Sequence, residues 1–382
     1  MIKTKIIHLV DDLGIGGTQK VVLDICSSAN LDKYEVSIFT LNNNSDLLKA
    51  YTLSPAIKIQ AFTYSYSEDF SLLGYFKHLF IPWTISKKAR PIIEAVKKEK
   101  PDIVHMHTIM RELRIGLMIR EATACKLIFT QHLALLKINP FSFSLLKLLL
   151  RKVLMHYNLI AVSGVIYKDI ITNGFLGKKK QLTVIDNKIN LQLFKPKPRE
   201  NKEVVTVVYI ARIGYPKGHA ELIEAWSKID PKLQKRLLLI GPDSLNNKIQ
   251  QLAAELVKDN SVVFMGKQLL IADILQECDF GVFPSFNEGL PISLLEKMAM
   301  ELPVIVSDIP ELKTIVTDGV DGLHFKCGDT DDLAGKITLL LKNRELRLKL
   351  GLMARETIST KYGSLNIALP NELFYEKVLK SE

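Results

Sequence analysis

The run Phe283-Pro284-Ser285-Phe286-Asn287-Glu288-Gly289-Leu290-Pro291-Ile292-Ser293-Leu294-Leu295-Glu296 joins an apolar strand to a helix, with one carboxylate at each end of the turn. The strand is Asp279-Phe280-Gly281-Val282-Phe283-Pro284. Pro291 suits the first helical turn, where a missing N–H costs little. The amides near Gly289 and Leu290 then lie at the positive end of a helix dipole, a natural seat for phosphate. Glu296 falls a little over one turn inside the helix. A carboxylate there can accept both hydroxyls of a ribose, as an acidic residue does in dinucleotide folds. Glu288 precedes the helix and points where a group beyond a diphosphate would sit. One turn therefore has the outline of a nucleotide-sugar site.

Working outward from that turn, strand-like and helix-like runs alternate on both sides. Upstream in the second half, 204–210, 236–241 and 262–265 read as strands, with helices over 220–228, 247–258 and 271–277. Downstream, 292–300 reads as helix, 304–307 as strand and 331–342 as helix. The first half does the same: strands over 6–10, 34–41, 102–107, 127–131, 159–163 and 184–187, helices over 18–29 and 89–100. Such alternation implies parallel βαβ units. Between the halves, Lys195-Pro196-Lys197-Pro198-Arg199-Glu200-Asn201-Lys202-Glu203 has the composition of an exposed linker.

Length and composition fit two ordinary globular domains, with 382 residues, 47% hydrophobic and 24% charged. The four cysteines, Cys26, Cys125, Cys278 and Cys327, are scattered without metal spacing and read as reduced thiols. The apolar run after Lys5 is broken by Asp11-Asp12, too soon for a signal peptide. No uncharged stretch approaches the ~20 residues of a spanning helix. Charge is uneven: residues 1–195 carry 27 Lys and Arg against 15 Asp and Glu, a net of +12, and residues 196–382 a net of −2. A basic first half is suited to nucleic acid or to an anionic membrane surface. Within it, Pro140–Asn158 sets Lys147, Arg151 and Lys152 against a broad apolar face.

Other clusters carry chemistry. Arg212 and Lys217, in Ala211-Arg212-Ile213-Gly214-Tyr215-Pro216-Lys217-Gly218, are two cations on a glycine-containing turn, able to converge on one diphosphate. Gly14, Gly16 and Gly17 follow the first strand, where glycines let backbone amides approach an anion at a helix start. Gln19 stands where a dinucleotide fingerprint needs its third glycine, which disfavours an oxidoreductase. His132 follows a strand. His105 and His107 share a strand face, an arrangement that can ligate metal, but no third ligand is evident in the sequence. Asp329-Thr330-Asp331 reads as a helix cap rather than a metal motif.

Glu288-x7-Glu296 with its flanking Pro-Ser-x-x-Glu-Gly-Leu-Pro resembles the signature of retaining glycosyltransferases of family 4. The segment Arg212 to Gly218 is similar to that family's Gly-Arg-x(n)-Lys-Gly motif, with Ala211 in place of the usual Gly. The Gly16-Gly17 loop resembles its N-terminal Gly-Gly loop, with Gln19 where many members carry Glu. Phe129-Thr130-Gln131-His132 resembles its Thr-x-His segment, whose His faces the transferred sugar. Asn187 and Phe194 are what remains of its interdomain segment.

The resemblance implies an α/β GT-B fold, two Rossmann-like lobes with parallel sheets facing each other across a cleft. It sets an acceptor-side lobe at 1–194, a linker at 195–203, a nucleotide-sugar lobe at 204–358 and a helix at 359–382 crossing back to the first lobe. It implies a hexosyltransferase-type enzyme moving a sugar, with retention, from a UDP- or GDP-linked donor to a glycan, lipid-linked or lipopolysaccharide acceptor in bacterial surface polysaccharide synthesis. Carried over, Glu288, Arg212, Lys217 and His132 are catalytic. Gly16, Gly17, Arg212, Lys217, Glu288, Gly289, Leu290 and Glu296 bind the nucleotide sugar. No metal and no cofactor beyond the donor is expected. The expected location is cytoplasmic, with the basic first half able to lie on the inner face of the membrane. Two rivals stand: a sugar-nucleotide epimerase using the same donor site, and a basic nucleic-acid-binding protein, which leaves Glu288 and Glu296 without a role.

Overall fold

The structure, a computed structural model, describes residues 2–64, 82–107, 113–133, 148, 151–177, 180–198 and 202–381. By its contacts the chain divides into two units, Met1–Asp186 with Asn366–Glu382, and Asn187–Leu365. The change of unit falls at Asp186–Asn187, ahead of the stretch at 195–203 marked by composition. Residues 187–194 go with the second unit because Ile189 N–H donates to the Tyr362 carbonyl at 2.9 Å and Arg355 Nη1 to that of Phe194 at 2.6 Å.

The first unit is built on β1 (Thr4–Val10), α1 (Gly17–Ser27), β2 (Tyr34–Thr40), β3 (Lys58–Ala61), α2 (Pro82–Glu99), β4 (Ile103–Met106), α3 (Leu113–Thr123), β5 (Lys126–Gln131), β6 (Asn158–Ala161), α4 (Gly164–Asn173) and β7 (Leu182–Val184). Its seven strands lie in the order β3-β2-β1-β4-β5-β6-β7, every pairing parallel. Runs such as Ile103–Met106, buried at every position, suit a sheet covered on both faces. β3 is the exception: all four residues are exposed, as an edge strand tolerates. The last strand ends at Val184, earlier than the expected 184–187, because Asn187 has already turned into the second unit. Of the basic stretch at 140–158, Lys147 lies outside the described residues, while Arg151 and Lys152 are exposed.

The second unit runs β8 (Val205–Ile210), α5 (His219–Ser227), β9 (Lys235–Ile240), α6 (Lys248–Leu256), β10 (Val262–Gly266), α7 (Ile271–Gln276), β11 (Phe280–Phe283), α8 (Ile292–Ala299), β12 (Val304–Ser307), α9 (Pro310–Lys313), β13 (Gly322–Phe325), α10 (Thr330–Lys342) and α11 (Arg344–Lys361). Its strand order is β10-β9-β8-β11-β12-β13, again all parallel. α12 (Leu369–Lys380) returns to the first unit, where Glu372 accepts from Asn30 N–H at 2.8 Å.

The two Rossmann-like units repeat one design at their centres. In each, the strand order reverses between the first strand and the fourth, β1 beside β4 and β8 beside β11. In each, an aspartate ahead of the fourth strand pins the start of the first: Asp102 Oδ2 accepts from Lys5 N–H and Asp279 Oδ2 from Thr206 N–H, both at 2.8 Å. Ligands of open α/β sheets bind beyond the carboxyl ends of the strands at such a reversal. The loops leaving β8 and β11, and those leaving β1, β4 and β5, are therefore the places to look.

Candidate functional site

In the second unit the loops after β8 and β11 lie against each other. Phe286 N–H donates to the Pro216 carbonyl at 2.8 Å. The buried Tyr209 hydroxyl donates to the Lys217 carbonyl at 2.7 Å and lies 3.0 Å from Ser285 Oγ. Ser307 Oγ in turn holds the Ser285 carbonyl at 2.5 Å. Gly218, at φ +72°, is required twice: for its left-handed backbone, and because a Cβ there would lie 2.0 Å from the Pro284 carbonyl oxygen.

This seating brings Lys217 Nζ to 2.7 Å from Glu288 Oε1, across 71 residues of sequence. The carboxylate side chain is 4% exposed and that of the lysine 19%. A buried carboxylate is tolerated when a cation and a hydrogen bond meet it. Arg212, five residues before Lys217, is exposed and has no ion pair among the described residues.

The turn after Glu288 is as expected, with one correction. Pro291 is the N-cap, at φ −73° and ψ 118°, and α8 opens at Ile292, so the proline stands just before the first helical turn. Its carbonyl accepts from Leu294 N–H at 3.1 Å, closing the first turn. Gly289 and Leu290 lie just ahead of the N-terminus of α8, where the helix dipole favours an anion. The turn is held from behind by Asn187 Nδ2, which donates to the Leu290 carbonyl at 2.7 Å. Ser293 Oγ donates to the Ile210 carbonyl at 3.0 Å and ties α8 to the end of β8. Glu296 lies in α8, 3% exposed. Behind it, Lys297 is fully buried, its stem over the bare Cα of Gly281 and its ammonium 4.9 Å above the Phe283 ring. Burial pushes that ammonium down to about 7.

In the first unit, the loop 12–17 leads into α1, with Gly16 as N-cap in extended backbone that any residue adopts. A Cβ on Gly16 would lie 2.3 Å from Gln19 Oε1, while one on Gly17 would meet open space. Gln19 turns back on the loop: its Nε2 donates to Asp12 Oδ1 at 3.2 Å, and the same oxygen accepts from Gly14 N–H at 2.8 Å.

His132, just past β5, ends a row of imidazoles. His8 Nδ1 lies 3.1 Å from His107 Nε2, and His107 Nδ1 lies 3.3 Å from His132 Nε2. His105, in register with His8, has its Nε2 2.7 Å from Thr130 Oγ1 and its Nδ1 2.8 Å from the Tyr375 hydroxyl of α12. Burial lowers the pKa of His8 and of His132 to about 4, and burial with neighbouring histidines holds those of His105 and His107 well below 6.5. His8, His105 and His107 bring ring nitrogens within 4.8 Å of one another. A metal there would have to strip Thr130 or Tyr375 from His105 and break the contact between His8 and His107.

The structure thus gathers Arg212, Lys217, Glu288, Gly289, Leu290 and Glu296 around one pair of loops in the second unit. It sets Gly16, Gly17 and His132 at strand ends of the first. Asp329 caps α10, its Oδ1 accepting from Asp332 N–H at 3.1 Å. Sequence reasoning missed His8, Tyr209, Ser285 and Lys297, whose places depend on which strands are neighbours.

Residues 15–193 match the family model for glycosyltransferase family 4, and residues 191–357 that for glycosyl transferases group 1. The chain is 32% identical over 175 residues to the N,N'-diacetylbacillosaminyl-diphospho-undecaprenol alpha-1,3-N-acetylgalactosaminyltransferase of Campylobacter jejuni, a match that takes in 46% of this chain and 45% of that enzyme. It spans less than half of that relative's length. It is 27% identical over 303 residues to the capsular polysaccharide biosynthesis glycosyltransferase CapM of Staphylococcus aureus, covering 74% of this chain and 78% of that one. Among solved structures, HepE of Anabaena in complex with UDP-glucose superposes with a TM-score of 0.79 at 19% identity, over 98% of this chain and 99% of that one. The sucrose-phosphate synthase of Thermosynechococcus elongatus gives 0.80 at 19% identity, over 99% and 100%. At these identities the likeness is one of fold.

Proposed function

The chain belongs to the group 1 glycosyltransferases and has the GT-B fold; from that premise we propose that it moves a sugar, with retention, from a nucleoside diphosphate donor to a hydroxyl of a glycan or lipid-linked acceptor in bacterial surface polysaccharide synthesis. The observation that carries this reading is the 2.7 Å contact between Lys217 Nζ and Glu288 Oε1, which makes one site of two motifs.

In the proposed site the amides of Gly289 and Leu290 and the N-terminus of α8 take the diphosphate. Glu296 accepts the ribose hydroxyls. Arg212 and Lys217 offset the charge that grows on the departing diphosphate, where a preorganised cation acts more strongly on the transition state than on the ground state. Glu288 keeps Lys217 in place until the donor arrives and then orients the transferred sugar. In the first unit, Gly16 and Gly17 offer amides, and His132 meets the sugar. No side chain is assigned as a covalent nucleophile; the donor phosphate draws the acceptor proton from the same face. The cations of the scheme are side chains, so it includes no metal and no cofactor beyond the donor.

UDP- and UDP-glucose-bound HepE and the undecaprenol-linked substrate in the name of the Campylobacter relative support a uridine donor and a lipid-linked acceptor. The test is turnover of a panel of UDP-, GDP- and ADP-sugars with lipid-linked and soluble acceptors. The anomeric configuration of the product is read by proton NMR. Transfer with an inverted anomer would refute the mechanism. Release of a free epimerised sugar would replace transfer with epimerisation.

A further inference from the structure

The row His8–His107–His132 constrains more than the position of His132. Its two contacts run edge to edge: ring centroids 5.3 and 5.6 Å apart are what imidazoles give when their nitrogens meet in line at 3.1 and 3.3 Å. The rings are neutral over the ordinary working range, since burial lowers the pKa of every member of the row. A neutral imidazole has one N–H and one lone pair. Each contact in the row consumes one of each. The three rings are therefore not independent. Either every ring donates toward His132, or every ring donates toward His8.

The two ends decide between these. His8 is the closed end, 1% exposed, and its Nε2 has no partner among the described residues. A row donating inward would leave an N–H on that nitrogen, in a ring 1% exposed and with no acceptor among the described residues, the rarer and more costly defect. A row donating outward leaves only a bare lone pair there. His132 is the open end, partly exposed, with Nδ1 left over. There an N–H can reach water or a ligand. His105 does not interfere, because its partners Thr130 and Tyr375 are hydroxyls that either donate or accept.

We propose that His8 and His107 are positioning residues that fix the tautomer of His132, so that its free nitrogen, Nδ1, carries the hydrogen and presents a neutral donor to an oxygen of the bound sugar. The proposal rests on the reading above in which His132 meets the sugar. It makes His132 a hydrogen-bond donor and not the base of the reaction. It also gives His107 and His8 a reason to be histidines, since an apolar residue would fill the same space but set no tautomer.

The experiment uses the full chain with 15N-labelled histidine. Long-range 1H–15N correlation spectra near neutral pH show which nitrogen of each ring carries the hydrogen, and the His132 signals are those lost in His132→Asn. The wild type should show His132 with hydrogen on Nδ1 and a bare Nε2. In His107→Phe the Nε2–H form should appear. In His107→Asn the amide stands at the place of Nδ1, still donates to His132, and should keep the wild-type form. With a competent donor, turnover should fall roughly 10- to 100-fold in His107→Phe, the scale of losing an outer partner of a working histidine. It should recover in His107→Asn, with the donor KM little changed throughout. Hydrogen on Nε2 of His132 in the wild type overturns the proposal, and so does an unaltered His132 spectrum in His107→Phe. The wild-type spectrum decides the direction of the row even if His107→Phe does not fold. Full turnover by His132→Asn, beside the expected wild-type spectrum, would instead remove His132 from the reaction and leave the row standing.

Discussion

Gly218→Ala separates the seating of the two loops from everything else in the second unit. The added methyl would start 2.0 Å from the Pro284 carbonyl oxygen. Carbon and oxygen come into ordinary contact at roughly 3.3 Å, so the loops must part by about 1 Å. The contact from Lys217 to Glu288 is 2.7 Å and does not survive that separation as a hydrogen bond. The left-handed backbone at φ +72° adds ~1–2 kcal/mol for a residue with a Cβ. For a unit the size of Asn187–Leu365 that is a fall in melting temperature of roughly 2–8 °C, small enough to leave the protein folded at room temperature. Turnover at saturating donor should drop on the order of 10²-fold, the cost of a 1 Å misplacement of a reacting group. Trp226, buried in α5 with its Nε1 on Ser261 Oγ at 2.8 Å, reports melting of this unit by fluorescence once Trp83 is replaced by Phe. Gly335→Ala, in open space on α10, is the control and should not lower the melting temperature. Wild-type melting and wild-type turnover in Gly218→Ala would refute the claim that the loop seats on Pro284.

Glu296→Gln should weaken binding of the free nucleoside diphosphate, measured by calorimetry, and keep the fold; unchanged affinity would remove the ribose assignment. Lys297 has a pKa of about 7 when folded against 10.5 ordinarily, so between these values the unfolded chain holds a proton the folded chain has lost. Its contribution to stability therefore rises with pH across that window, by up to ~1.4 kcal/mol per pH unit, and Lys297→Met should flatten the slope; equal slopes in the two proteins would count against a buried lysine. The net charge of +12 on residues 1–195 predicts salt-sensitive binding to anionic vesicles. Reversing Lys147, Arg151 and Lys152 to Glu should abolish flotation and spare donor hydrolysis, whereas equal flotation with neutral vesicles would favour a soluble acceptor.

Much of the fold was legible because buried parallel strands are continuous apolar runs. Val304–Ser307 coincides with its strand, and Phe280–Phe283 is shorter than the expected strand by one residue at each end. Lys58–Ala61 was not legible, since an exposed edge strand has no apolar pattern to display. The pairing of Lys217 with Glu288 was foreseen as shared chemistry but not as a contact. It exists only because β11 lies beside β8, a non-local fact. His8 was hidden for the same reason: in Ile6-Ile7-His8-Leu9-Val10 it looks like one polar interruption of a strand, and only the register of β1 on β4 sets it beside His105. Asn187 was visible as a remnant of an interdomain motif, yet its hydrogen bond to the Leu290 carbonyl, which steadies the turn ahead of α8, spans 103 residues.

The central claim is that Lys217 and Glu288 act as one unit on the departing diphosphate and the sugar. It is tested most directly by single-turnover transfer at saturating donor with Lys217→Ala, Glu288→Gln and the double variant. The account predicts a fall of ~10²–10³ in the rate constant for Lys217→Ala, a clear fall for Glu288→Gln, and a double variant little worse than the worse single one, because residues acting together lose their effect together. A rate constant unchanged at saturation in Lys217→Ala, with only the apparent KM raised, would contradict it, as would losses that multiply in the double variant.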